Sequence, residues 1–367
     1  MNPTETPHEG ECLDLAQEVS GLALDLINME SVSGNEHAIA GAIERALRRL
    51  GHLEVVRDGD AVMARTNLHR TERVILAGHL DTVPLPTVAG SKGTVPAARD
   101  GEVIYGRGAT DMKGGVAVQL GLAASLTEPM RDVTYVFYDN EEVESARNGL
   151  GRLVSNYPDW FKADFAVILE PSNSVVEGGC NGFLQAVATT HGVSAHSARS
   201  WMGTNAIHGL ADILVRLRDH VPAEVEVDGL VYKESLSAVG ISGGIAGNVI
   251  PDKGEVEINY RFAPDRSTEQ AAEYVRTVLA GFDVHITDGM SGARPGLNHP
   301  VAKDFIAAVG GSANPKYGWT DVARLSELGI PAVNYGPGNA MLAHTDNEHV
   351  RTEDVQTCLN ALAAWLS

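Results

Sequence analysis

Seven side chains able to do chemistry recur in short motifs along this chain. His79 and Asp81 stand in GHLDTVP, Asp111 in GRGATDMKGG, Glu141 and Glu142 in NEEVE, Glu170 in LEP, and His344 in AHTDNE. Taken singly, each has an ordinary explanation. HxD is a common pair, a Glu-Glu dipeptide is usually solvated surface, and an Asp beside a helix start often caps it. Glu170-Pro171 could be a plain strand end and His344 a plain loop histidine. Their common position argues otherwise. VILAG (74–78) runs directly into His79 and Asp81, VTYVFY (133–138) into the Glu pair two residues on, and FAVIL (165–169) into Glu170. Asp111 lies among glycines that suit a tight turn, and His344 in a Gly/Pro-rich loop after the last apolar run, PAVNYG (331–336).

Carboxylates and imidazoles gathered at one place repel or stay uncharged unless a cation neutralises them. Mixed His and Asp/Glu donors without Cys suit Zn²⁺, Co²⁺ or Mn²⁺ in catalytic rather than structural sites. One carboxylate can bridge two ions about 3.5–4 Å apart, the arrangement used for metal-assisted hydrolysis.

The elements that must position these groups are legible too. The four runs are short, apolar and rich in β-branched and aromatic residues, as strands buried on both faces of a parallel sheet are. Helix-like stretches such as GGVAVQLGLAASL (114–126) lie between them, which predicts an α/β fold with a mixed, mostly parallel sheet sandwiched by helices. In such sheets ligands bind outside the carboxyl ends of the strands. Independent strands therefore carry the candidate residues to one edge. Upstream, Leu15, Val19, Leu22 and Leu26 predict a helix over 11–29. Ser33 and Glu36 form a capping-box pattern before a second helix marked by Ile39, Ile43, Leu47 and Leu50.

The middle of the chain has another texture. Partial alternation over 183–193 and 255–263, helical patterns at about 205–219 and 268–280, and a short strand at 283–287 fit the order β-α-β-β-α-β, a ferredoxin-like α+β pattern, with one of its strands not located. Gly178, Gly179 and Gly182 on one side and Gly289, Gly292, Pro295 and Gly296 on the other mark it as an insertion. The expected division is 1–179 and 293–367 for the α/β domain and 180–292 for the inserted one. His196, in HGVSAHSARS, reads equally as an oxyanion donor or a turn residue. Asn248 in GNVIP is a turn or a substrate contact, and Arg261 in NYRFAP a surface charge or a clamp for a substrate carboxylate. His191, His208, Trp201 and Trp319 read as structural.

Composition bounds the partners. Among 367 residues, 28 are Lys or Arg and 48 Asp or Glu, a net charge of −20. That argues against nucleic acid and against an anionic membrane surface. No apolar run reaches the length of a membrane span. Three cysteines, Cys12, Cys180 and Cys358, match no metal or redox spacing and fit a reduced cytoplasmic protein. The acidic start, MNPTETPHEGE, has no features of a secretory signal and is expected to be a loose tail. No glycine-rich phosphate loop follows a strand, which weighs against a nucleotide-binding protein.

In order and over nearly its whole length, this set of motifs resembles the two-zinc aminoacylase and carboxypeptidase family of metallohydrolases. GHLDTVP, GATDMKGG, NEEVE, LEP, AHSARSWMGTNAI, NVIP, RFAP and the late His344 carry the resemblance. HSARSWMGTNAIH, KYGWTDVARL and YGPG are similar to the actinobacterial form of the subgroup that hydrolyses N-succinyl-LL-2,6-diaminopimelate in lysine and cell-wall biosynthesis. Acetylornithine deacetylases, other aminoacylases and dipeptidases of the same family are the alternatives. The resemblance implies two zinc ions, with Co²⁺ or Mn²⁺ as substitutes. His79, Asp111 and Glu170 would serve one, and Asp111, as bridge, with Glu142 and His344 the other. It implies Asp81 orienting His79, Glu141 as general base, and Asn248 and Arg261 binding substrate. His196 would reach the neighbouring subunit's site in a homodimer built through the inserted domain. The loop Lys316-Tyr317-Gly318-Trp319-Thr320-Asp321 departs from the subgroup, keeping a Thr-Asp pair but lacking the expected Ser. A non-catalytic relative should have lost some of these groups, and none is missing.

Overall fold

The four apolar runs become four adjacent strands at the centre of one sheet. The protein is described here by a computed structural model that covers residues 13–367. Cys12 and the expected N-terminal tail lie outside those residues. The chain divides into two units. The first holds the chain up to Gly178 with Gly296–Asn314 and Arg324–Ser367, and the second Gly179–Pro295 with Pro315–Ala323.

In the first unit an eight-stranded sheet has the order Glu54–Asp58, Ala61–Arg65, Asp132–Tyr138, Arg73–His79, Phe165–Ile168, Ala332–Asn334, Val176–Gly178, Ala313–Pro315. Asp132–Tyr138, Arg73–His79, Phe165–Ile168 and Ala332–Asn334 run parallel. Antiparallel partners flank them, so the sheet is mixed as expected. The central strands are buried along almost their whole length. That is why they read as unbroken apolar runs. Each fully buried Val, Leu, Ile or Phe contributes about 1.5–3 kcal/mol relative to exposure. The helix Gly114–Ser125 is apolar nearly all round and is accordingly enclosed. It packs on Arg73–His79 and also against Val19–Ile27 and Thr352–Leu366. It comes so close to the sheet that a Cβ on Gly115 would sit 2.4 Å from the Leu169 carbonyl oxygen. This approach brings Asp111, just ahead of the helix, near Glu170, just after Leu169.

Two local expectations are corrected. The first helix begins at Val19, not 11, because the Asp14 side chain accepts the N–H of Ala16 and makes a turn instead. The second helix, His37–Leu47, has no side-chain cap. Ser33 and Glu36 bond elsewhere: the Ser33 hydroxyl donates to Asp81 at 2.7 Å, and the Glu36 carboxylate accepts the N–H groups of Gly34 and Asn140.

The second unit carries a four-stranded antiparallel sheet in the order Ser235–Gly243, Lys253–Phe262, Gly182–His191, Asp283–Met290. The helices Ala206–Asp219 and Thr268–Val278 pack on it over a core that includes Leu184, Leu210, Ile213, Val256, Ile258 and Val275. Chain order is β-α-β-β-α-β, as expected. The helix Thr268–Val278 holds a true capping box, Ser267 with Gln270. A hairpin, Glu224–Val227 with Leu230–Lys233, was not anticipated. Among the described residues no helix is long and apolar enough to cross a membrane.

Candidate metal centre

The carboxyl ends of three neighbouring parallel strands deliver the candidate groups, as the topology requires. Arg73–His79 ends on His79, Asp132–Tyr138 leads into Glu141 and Glu142, and Phe165–Ile168 into Glu170. Asp111 arrives from the irregular segment Ala109–Lys113, and His344 from the loop after Ala340–Leu342.

The two oxygens of Asp111 face different histidines. Oδ1 lies 3.1 Å from His79 Nε2, and Oδ2 lies 3.3 Å from His344 Nε2. His344 Nε2 is also 2.9 Å from Glu142 Oε1, and His79 Nε2 is 3.9 Å from Glu170 Oε1. Donor atoms of His79, Asp111 and Glu170 lie within 4.8 Å of one another, and so do those of Asp111, Glu142 and His344. A third such group is His79 with Glu141 and Glu142. This is a hard, oxygen-rich donor set with two imidazoles, and it fits two divalent ions that share Asp111.

The electrostatics agree. Burial, the largest influence on His79, opposes its charged form. Hydrogen bonds to Asp111 and Asp81 outweigh burial and lift the pKa well above the ordinary histidine value. Hydrogen bonds to Asp111 and Glu142 push His344 up to about 10. Burial likewise opposes ionisation of Asp111, yet the bonds from His344 and His79 hold its carboxyl below the usual range. The carboxylates thus demand positive charge at this spot, which protons on imidazole or bound cations can supply.

Asp81 is fully buried and does more than orient a histidine. Its Oδ1 accepts the N–H of Glu141 at 2.9 Å, and its Oδ2 that of Glu142 at 3.0 Å. His79 Nδ1 lies 3.0 Å from the Asp81 backbone carbonyl and 3.5 Å from its carboxylate. A carbonyl only accepts, so Nδ1 carries a proton. In the metal-free protein Nε2 carries one as well and donates to Asp111, and losing it leaves the Nε2 lone pair free for a metal. Asn140 and His344 both adopt left-handed backbone conformations, φ 57° and 63°. Non-glycine residues held there are strained, and such strain gathers at functional sites.

Sequence reasoning missed the supports. Ser33 binds Asp81. Arg107 and Glu348 form a buried pair below Asp111, and Lys113 is enclosed with its ammonium donating to the Met29 carbonyl. Burial pulls the Lys113 pKa down to about 7 against the pull of Glu348, Glu30 and Asp81. The one available signal was Arg and Lys inside GRGATDMKGG, a stretch otherwise made of small and apolar residues.

The remaining candidates belong to the second unit. His196 pairs with Val249, and the Ser197 N–H donates to the Asn248 carbonyl, which puts His196 and Asn248 side by side. His196 Nδ1 accepts the N–H of Ala198 at 3.1 Å, so in the neutral ring the outer nitrogen, Nε2, is the donor. Arg261 is partly buried, bonded through Nε to Asn259 and stacked 5.6 Å over the Phe183 ring. Trp319 meets the same ring edge-on and donates to the Ser291 carbonyl, a structural role as expected.

Fold and donor set together define a metal-dependent hydrolase. The chain belongs to the Peptidase family M20/M25/M40, whose model matches residues 75–367. It is 49% identical over 357 residues to a putative succinyl-diaminopimelate desuccinylase DapE of Mycobacterium tuberculosis, covering 96% of this chain and 99% of that one. It is 41% identical over 366 residues to a succinyl-diaminopimelate desuccinylase of Corynebacterium glutamicum, covering 97% and 98%. Among solved structures, a tripeptidase from Staphylococcus aureus matches with TM-score 0.76 at 20% identity, over 97% of this chain and 98% of that one. An M20 family metallo-carboxypeptidase from Sulfolobus solfataricus also matches at 0.76, with 18% identity over 95% and 98%. These last two likenesses bear on the fold alone.

Proposed function

We propose that this chain hydrolyses N-succinyl-LL-2,6-diaminopimelate to succinate and LL-2,6-diaminopimelate, a cytoplasmic step of lysine biosynthesis. The near full-length likeness to desuccinylases supports the substrate. The observation that carries the chemistry is Asp111 between His79 and His344, with Glu141 close to His79 on the backbone clamped by Asp81.

His79, Asp111 and Glu170 would hold one zinc ion and Asp111, Glu142 and His344 the second. Bound there, the ions supply positive charge that polarises the amide carbonyl and acidifies water. Glu141 takes the proton of the attacking water and returns it to the leaving amine. His196, donating from Nε2, binds the developing oxyanion, and Arg261 and Asn248 hold a substrate carboxylate.

His196 would act in the partner's site of a homodimer joined through the second unit. Support comes from the edge strand Ser235–Gly243, where Val239 and Ile241 are 65% and 59% exposed, and from Trp201, 77% exposed. Exposed apolar residues on an open strand edge are what a second copy covers. Turnover of N-succinyl-LL-2,6-diaminopimelate, N-acetylornithine and a dipeptide, each with and without added Zn²⁺, tests the reading. Zinc-dependent preference for the succinyl substrate is expected, and preference for either rival substrate overturns it.

A further inference from the structure

We propose that Glu348, held by Arg107, is a positioning residue that sets the second metal site by fixing the segments that carry Asp111 and His344. The inference rests on the two-ion reading above. Glu348 and Arg107 are 1% and 3% exposed and meet at 2.8 Å. The other oxygen of Glu348 accepts the backbone N–H groups of Thr110 and Asp111, both at 3.1 Å. Two successive N–H groups on one carboxylate oxygen fix the orientation of the peptide planes leading into Asp111. That orientation lets its Oδ1 and Oδ2 face different histidines.

The same pair reaches the other segment. Arg107 Nη1 lies 3.3 Å from the carbonyl of Thr345, the residue after His344. The Thr110 hydroxyl donates to the His349 carbonyl, and the Glu348 carbonyl accepts the Gly106 N–H. Residues 106–111 and 345–349 are thus laced together around one buried ion pair. Such a pair is weak evidence for stability, since apolar residues of similar volume often serve as well. Its hydrogen bonds, in contrast, end on the backbone of one candidate ligand and beside another. Supports of this kind tune metal affinity by about 10–100-fold.

The second ion depends on Asp111 and His344, both tied to this brace. The first depends on it only through Asp111. Titration of the metal-free full-length chain with Co²⁺, by calorimetry and visible absorption, tests the proposal. The native chain is expected to take two ions. In Glu348→Gln the second ion should bind at least tenfold more weakly while the first stays within about threefold. A merely structural role would lower the melting temperature and leave both affinities unchanged. Two affinities within twofold of native in folded Glu348→Gln overturn the brace alone, whereas a native chain that takes fewer than two ions overturns the two-ion reading and the brace with it. If Glu348→Gln does not fold, Thr110→Val decides, since it removes one lacing bond without stranding a charge. A threefold or greater loss confined to the second ion supports the proposal, and no change overturns it.

Discussion

Asp81 and Glu141 are joined by a 2.9 Å hydrogen bond from the Glu141 backbone to a carboxylate with no exposure to solvent. The second oxygen of the same carboxylate takes the N–H of Glu142 and the hydroxyl of Ser33. One buried group thus fixes two adjacent residues that point to different tasks. Asp81→Ala removes both bonds, so base and ligand should lose their aim together. We expect kcat to fall about 10²-fold, as misplacement by about 1 Å does, and metal affinity to fall about tenfold. Steady-state kinetics beside metal analysis checks this. Unchanged kcat in a folded variant would show that the clamp is incidental.

The neighbouring glutamates should separate cleanly. Glu141→Gln is expected to lower turnover by about 10²–10⁴-fold with two ions still bound. Glu142→Gln should lose the second ion, because its Oε1 lies 2.9 Å from the other candidate ligand, His344. Metal content of the two purified variants distinguishes them. Full activity in Glu141→Gln at full metal occupancy would exclude it as the base.

The difference between these two glutamates is invisible in the dipeptide itself, and that is typical of what sequence reading reached here. The strands were legible because burial on both faces leaves a continuous apolar run, and the change to His, Asp or Glu marks where each ends. His79, Glu142 and Glu170 converge for that reason, whereas Asp111 and His344 join them from an irregular segment and a loop that only their glycine-rich surroundings marked. Arg107 with Glu348 and Ser33 with Asp81 were not legible. Their bonds join residues 241 and 48 positions apart, and no local period records such a pairing. Ser33 and Glu36 even mimic a capping box while their side chains serve Asp81 and Asn140. The strand Ser235–Gly243 stayed hidden because SLSAVGISG is built of small residues and lies at an edge with few buried positions.

The metal-free protein should respond to pH through His344. Hydrogen bonds to Asp111 and Glu142 raise its pKa from 6.5 to about 10 in the folded chain. Stability from this group is therefore complete below about 6.5 and is lost as pH climbs through about 10. The apo melting temperature should fall across that window, less so in His344→Ala. Metal needs the neutral imidazole, so binding near pH 8 should release protons. Calorimetry in two buffers of different ionisation enthalpy measures that release. A melting temperature independent of pH from 7 to 10, with no proton release, would contradict the assigned charge state.

The role of His196 across a dimer can be tested without knowing the interface in detail. Val239→Asp with Ile241→Lys places charge on the exposed edge strand and should yield a monomer by sedimentation. Each proposed metal donor set comes from one chain, so the monomer should still bind two ions. Its turnover should fall about 10²–10³-fold, the effect of losing one oxyanion donor. His196→Ala in the intact dimer should lose a similar amount. Mixing then separates the two possible geometries. In a heterodimer of His196→Ala and Glu141→Gln subunits, one site has an intact Glu141 and receives an intact His196 only if His196 acts across the interface. Recovered activity that neither parent shows therefore supports action in the partner's site. Absence of recovery from a verified heterodimer would place His196 in its own subunit's chemistry or outside catalysis, and an active monomer would count equally against it.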